Sequence, residues 1–140
     1  MSWLLDTCVL SEYARKTPNR QVIDWVDEQD EASLYISVIS IGEIEKGILK
    51  LRTTDRRRGQ KLTSWLGKVE QRFSGRLLPL DIAALHVWAQ LAAQSERAGR
   101  PLPVMDAQIM ATAQCHGFTI VTRNVEDFAF YPQVINPWVL

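Results

Sequence analysis

The chain reads as a three-layer α/β/α sandwich: a mainly parallel central sheet of about five strands between two layers of helices. Two patterns point there. Short apolar runs of strand length alternate with longer segments whose apolar residues recur at helical spacing. No connection between successive strands carries hairpin turn chemistry, so the strands need helical crossovers, and crossovers make them parallel.

Trp3 to Leu5 is a short apolar run that stops at Asp6. It is apolar on both faces, as a strand covered on both sides must be. Asp6, Thr7 and Cys8 leave it and lead into a short helix around Leu10 to Arg15, broken by Pro18 and Asn19. A second helix runs from about Arg20 to Gln29, with Val22, Ile23, Trp25 and Val26 as its apolar stripe. Ser33 to Val38 is the second strand. Ser40 begins the third helix, whose buried face is Ile41, Ile44, Ile48 and Leu51. Gly47 lies inside that helix, which predicts close packing there, since Gly costs about 1 kcal/mol against Ala. The basic stretch RTTDRRRG precedes a fourth helix, Arg57 to Phe73, closed by Gly75.

Leu77 to Leu80 is the third strand, and Asp81 caps the helix Ile82 to Ala98. A Pro/Gly loop, Gly99 to Pro103, leads into the stretch on which the reading turns. Asp106 opens a helix in which Ile109, Met110 and Ala113 share one face. Gly117 ends it, because Gly accepts the left-handed conformation beyond a helix C-terminus. Phe118 to Val121 is the next strand, followed by Thr122, Arg123, Asn124 and Asp127. The tail QVINPWVL holds a last edge strand.

With 140 residues, the chain suits a single domain, 1–140, with a real core. Its formal net charge is zero, so no global basic field attracts polyanions and any nucleic-acid contact must be local. Cys8 and Cys115 fall in predicted core elements, without metal-ligand spacing or a disulfide framework, which fits a reducing cytosol. No apolar run approaches the ~20 residues of a membrane span. The N-terminus enters a strand without a basic leader, so a cytoplasmic protein is expected.

Three acids share one description. Asp6 follows the first strand, Glu43 lies in the first turn of the helix after the second, and Asp106 opens the helix before the fourth. A parallel sheet brings all three to one end, in the crevice outside the carboxyl ends of the strands, where Asn124 and Asp127 join them. Carboxylates this close repel, and a divalent cation resolves the conflict. Oxygen-only donors suit Mg²⁺ or Mn²⁺, and such a cluster is apparatus for phosphodiester hydrolysis by metal-activated water. Ordinary alternatives exist. Ser40-x-x-Glu43 fits a capping box, and Asp106 fits the acid favoured by a helix dipole. Asp6 is harder to explain away, since a carboxylate at a buried strand end is costly unless paired.

LLDTCVL, ISVISIGEIEKGI and MDAQIMATAQCHGFTIVTRNVEDF together resemble a PIN domain of the VapC and FitB type, the toxins of bacterial type II toxin–antitoxin pairs. The resemblance covers nearly the whole chain in order. It implies a metal-dependent endoribonuclease that cuts single-stranded RNA, with Asp6, Glu43 and Asp106 binding Mg²⁺ or Mn²⁺. It implies that Thr7 and Thr122 hold the acids by hydroxyl hydrogen bonds. It also implies a homodimer, and inhibition by a small antitoxin within a heterotetramer or larger assembly. The sequence departs from the family at Asn124, where a fourth acid often stands. Asn124 remains a carbonyl ligand candidate, and Asp127 is the candidate substitute acid.

Arg123 is adjacent to the site and is the best-placed phosphate contact. Arg52, Arg56, Arg57, Arg58 and Lys61 form a second basic cluster that suits phosphates or is a solvated helix start. The flanking apolar residues, Trp65 and Leu62 among them, are core or a groove for a partner helix. The competing reading is a degenerate PIN domain that binds RNA or protein without cutting, favoured by Asn124. A receiver domain or a haloacid-type phosphatase fits poorly, because Asp6-Thr7-Cys8-Val9 lacks the Asp-x-Asp of the latter.

Overall fold

The sheet has five parallel strands in the order β3-β2-β1-β4-β5. The computed structural model describes residues 1–140. The strands are β1 (Trp3–Leu5), β2 (Leu34–Ser37), β3 (Leu77–Leu78), β4 (Thr119–Val121) and β5 (Val134–Ile135). The helices are α1 (Thr7–Glu12), α2 (Arg20–Asp27), α3 (Val38–Leu51), α4 (Arg56–Arg72), α5 (Ile82–Arg97) and α6 (Val104–His116). Single 3₁₀ turns lie at Glu31–Ser33 and Val125–Phe128. The chain steps outward from β1 through β2 to β3, then returns to the other side of β1 for β4 and β5. The reversal falls between β1 and β4, where Trp3 pairs with Thr119 and Leu5 with Val121. Crossovers leave a crevice at such a point, beyond the carboxyl ends of the two strands.

Strand alternation divides the core into two layers. Leu5, Leu34, Ile36 and Val121 face one side, packed with Val9, Val22, Val26, Ile44, Leu66 and Phe73 of α1 to α4 and its exit. Leu4 and Ile120 face the other side, packed with Leu91, Ile109, Met110 and Phe128. The three-layer expectation therefore holds, and the tail forms an edge strand as expected.

Several local expectations are corrected. Helix α1 starts at Thr7 rather than near Leu10, because the Asp6 carboxylate accepts the Thr7 N–H and caps it. Helix α3 starts at Val38, because the Ser37 hydroxyl accepts the Ile39 N–H at 3.0 Å. Ser40 is therefore a buried residue inside α3, no Ser40–Glu43 capping box forms, and Glu43 lies in the second turn. Cys115 is exposed, since it lies on the outer face of α6. A Cβ at Gly47 would meet nothing within 4 Å, so that glycine opens the wall of a cleft rather than admitting a neighbour. Asp81 caps α5 by accepting the Ala84 N–H, and Gly117 takes a φ of 70° at the end of α6, both as predicted. No helix is long and apolar enough to cross a membrane.

Arg76 pins the start of β2 to the end of α4. Its Nη1 donates to the backbone carbonyls of Glu31 (2.8 Å) and Leu34 (2.6 Å), and its guanidinium stacks on Phe73 at 4.9 Å. Arg76→Met would take a side-chain donor from both carbonyls, leaving that of Glu31 with the Leu34 N–H. The expected cost is about 1–3 kcal/mol, seen as a lower urea midpoint with an unchanged slope.

Candidate active site

The crevice between β1 and β4 is built around Asp6. Its backbone N–H extends the β1–β4 ladder to the Val121 carbonyl (3.0 Å). Its side chain is only 5 % exposed. Oδ1 accepts the Thr7 N–H at 2.8 Å, and Oδ2 accepts the Thr122 hydroxyl at 2.8 Å. Thr122 Oγ1 in turn accepts the Asn124 N–H at 2.9 Å, which leaves its own proton committed to Asp6. Burial nonetheless outweighs these bonds and pushes the Asp6 carboxyl above its ordinary value. Cys8 Sγ stands 3.8 Å from Asp6 Oδ2, and burial followed by the Asp6 charge pushes the thiol up, away from the reactive thiolate.

Glu43 is held from the opposite wall. Thr7 Oγ1 lies 3.1 Å from Glu43 Oε1 and 2.9 Å from Ser40 Oγ. A hydroxyl has one proton, so both contacts are satisfied when Ser40 donates to Thr7 and Thr7 to Glu43. Burial first, and then the Asp6 charge, raises Glu43. Asp106, in the first turn of α6, is pushed up to about 6 by burial and then by the charges of Asp6, Asp127 and Glu43. No hydrogen bond opposes the shift. Four carboxylates therefore share one electrostatic neighbourhood. Asp127 is exposed on the 3₁₀ turn Val125–Phe128, where its N–H donates to the Asn124 carbonyl at 3.0 Å.

The structure thus gathers Asp6, Glu43, Asp106, Asp127, Thr7 and Thr122. Asn124 is exposed beside them and makes no side-chain cap. No three His, Cys, Asp or Glu side chains converge tightly enough to enclose an ion by themselves. The donor chemistry fits a hard cation that completes its shell with water, as Mg²⁺ does by preference.

The basic residues divide. Arg56 and Arg57 are exposed at the start of α4 and do not line the crevice cleft. Arg58 does, in a cleft of about 340 Å³ that runs from Thr7 and Glu43 along Ile44, Ile48, Leu62 and Trp65. Leu66 and Val69 on the same helix are core, so both readings of those apolar residues hold in part. Arg123 is not free: its Cζ stacks 4.5 Å over the Trp138 ring, and its Nη2 is 3.9 Å from Glu12. Glu12 is a buried acid that the sequence reading passed over. Its signal is its place three residues after Val9, on the inward face of α1.

An acidic crevice at the switch point of a parallel α/β sheet, walled by helix N-termini, is where open α/β domains place their ligand sites. Residues 3–131 match the family model of the PIN domain, and the chain belongs to that family. It is 36 % identical to VapC ribonuclease Y4jK of Sinorhizobium fredii, over 96 % of each chain. It is 34 % identical to toxin FitB of Neisseria gonorrhoeae, over 96 % of this chain and 97 % of that one. The crystal structure of FitAcB from Neisseria gonorrhoeae superposes with a TM-score of 0.90 at 33 % identity, over 99 % of both chains.

Asp106 makes the cation-free fold sensitive to pH. A carboxyl raised from 3.8 to about 6 on folding contributes stability below its unfolded pKa and loses it as pH rises through the folded value. In EDTA, Asp106→Asn should therefore raise Tm, and raise it more at pH 7.5 than at pH 5. Thermal melts of the two proteins at both pH values check the sign.

Proposed function

We propose that the protein is a metal-dependent endoribonuclease, the toxin of a toxin–antitoxin pair, acting on single-stranded RNA. The observation that carries this reading is Asp6, a buried carboxylate fixed by two hydrogen bonds and facing three further acids across the β1–β4 crevice. The names of the VapC ribonuclease and FitB toxin relatives support RNA as the substrate and toxicity as the role.

Asp6, Asp106 and Glu43 would hold Mg²⁺ or Mn²⁺, with Asn124 as a neutral oxygen ligand. A bound cation supplies an acidified water and a positive charge for the phosphate and the leaving oxygen. The chain's own residues do the rest. Thr122 and the Thr7 N–H hold Asp6 in one rotamer, so no reorganisation is needed when substrate arrives. The Ser40–Thr7–Glu43 chain keeps Glu43 oriented as an acceptor toward the crevice. Asp106, raised by burial and by its acidic neighbours in the cation-free crevice, is the carboxyl whose repulsion a cation would relieve most directly. Asp127 adds the charge that Asn124 lacks.

An antitoxin segment with apolar side chains suits the cleft along Ile44, Ile48, Leu62 and Trp65, and from there reaches Glu43. Antitoxin-free protein should cut total bacterial RNA into discrete fragments with Mg²⁺ or Mn²⁺ and not with EDTA. Asp6→Asn should fold and lose at least about 100-fold in rate, the scale of a single positioned catalytic group. A variant that cuts as fast as the parent would overturn the assignment. A protein inert under every condition would favour the binding-module reading.

A further inference from the structure

We propose that Glu12 is a positioning residue that presents Arg123, and with it Arg15, to the phosphates of a bound strand. The inference rests on the nucleic-acid reading of the crevice.

Glu12 closes α1 and is 2 % exposed. It accepts the Asn19 N–H at 2.7 Å and Arg15 Nη1 at 3.2 and 3.4 Å, and Arg123 Nη2 stands 3.9 Å away. A buried carboxylate is costly unless paired. Here the pairing goes to two arginines whose side chains stay 55 % and 50 % exposed, so each keeps donors free toward solvent. Arg123 is restrained further by its stacking on Trp138. A guanidinium stacked on one face and tethered at one corner leaves an outer edge for a phosphate, already oriented.

Both arginines border the acids. Arg123 follows Thr122 in the chain, and Thr122 donates to Asp6. Arg15 lines the cleft that reaches Thr7 and Glu43. Helix α1 is thus tied to the exit of β4 at both ends, by Asp6 to Thr122 and by Glu12 to Arg123. The placement answers an electrostatic difficulty. Clustered carboxylates repel a polyanion in a chain of zero net charge, so oriented cations at the rim are what would admit one.

The test is equilibrium binding of a fluorescein-labelled oligouridylate over a salt series, in the Asp6→Asn background so that the strand survives. Arg123→Ala should weaken binding several-fold and reduce the slope of log K against log salt by about 0.7, the value for one phosphate on a single strand. Glu12→Gln keeps an oxygen for the Asn19 N–H and removes a negative charge. By net charge alone it would tighten binding; positioning predicts that it weakens binding several-fold, and has little further effect once Arg123 and Arg15 are both Ala. Trp138→Leu, which leaves Glu12 intact, should behave the same way. Tighter binding in Glu12→Gln, or an equal loss whether both arginines are present or both are Ala, would overturn the inference. Cleavage by the Asp6 parent with Mn²⁺ is scored in parallel. A parent that cuts while Glu12→Gln binds normally sinks this inference alone, whereas a parent that neither binds nor cuts sinks the nuclease reading and this inference with it.

Discussion

The structure depends on one buried carboxylate. Asp6 is held where β1 ends, α1 begins and β4 passes alongside. Its N–H continues the sheet, while its side chain caps the helix and takes the Thr122 proton. Removing the charge from water costs several kcal/mol in principle, and two hydrogen bonds do not offset that cost fully, since the group remains raised. The consequence spreads to Asp106 and Glu43, which feel Asp6 and are raised with it. A fold that gathers acids it cannot neutralise keeps their mutual repulsion at this edge of the sheet, at the expense of its own stability.

The sheet order makes that gathering unavoidable. With β2 and β4 on opposite sides of β1, helices leave toward both faces at the same end. Helix α3 leaves the end of β2, and α6 must begin at that end in order to run back to β4. The second turn of α3 carries Glu43, and the first turn of α6 carries Asp106, to the rim. Helix N-termini also favour negative charge there, which softens the repulsion without removing it.

What could be read from the sequence was whatever rests on periodicity and local chemistry. The alternation of Leu4 and Leu5 into opposite cores, the stop at Gly117 and the cap at Asp81 are local matters, and each was legible. So was the placement of Asp6 and Asp106, because strand ends and helix starts in a parallel fold share one edge. The errors came where two local signals compete. Ser37 and Ser40 both fit a cap; the nearer hydroxyl to the strand end won, and that moved Glu43 one turn deeper and made Ser40 part of its hydrogen-bond chain. Glu12 was illegible for a different reason. A buried acid on an apolar face looks like a solvated one until its partners, Arg123 and the Asn19 N–H, are brought from elsewhere in the chain. Arg123 looked free for the same reason, since Trp138 lies far along the sequence.

The departure at Asn124 can be weighed on the same geometry. The backbone N–H of residue 124, not its side chain, fills the Thr122 lone pair and so aims the Thr122 proton at Asp6. Any residue with a backbone N–H performs that task, so an acid is not needed at 124 to hold the site together. The negative charge enters one 3₁₀ turn later, on Asp127, which is close enough to raise both Asp6 and Asp106. Hydrogen-bond geometry and charge have thus been divided between two residues of one turn. Asp127 is exposed and Asn124 is uncommitted in its side chain, so neither is fixed as Asp6 is. The fixed side of the crevice is thus the β1–β4 side, where Thr7 and Thr122 hold Asp6, and the side whose acid faces solvent is this turn.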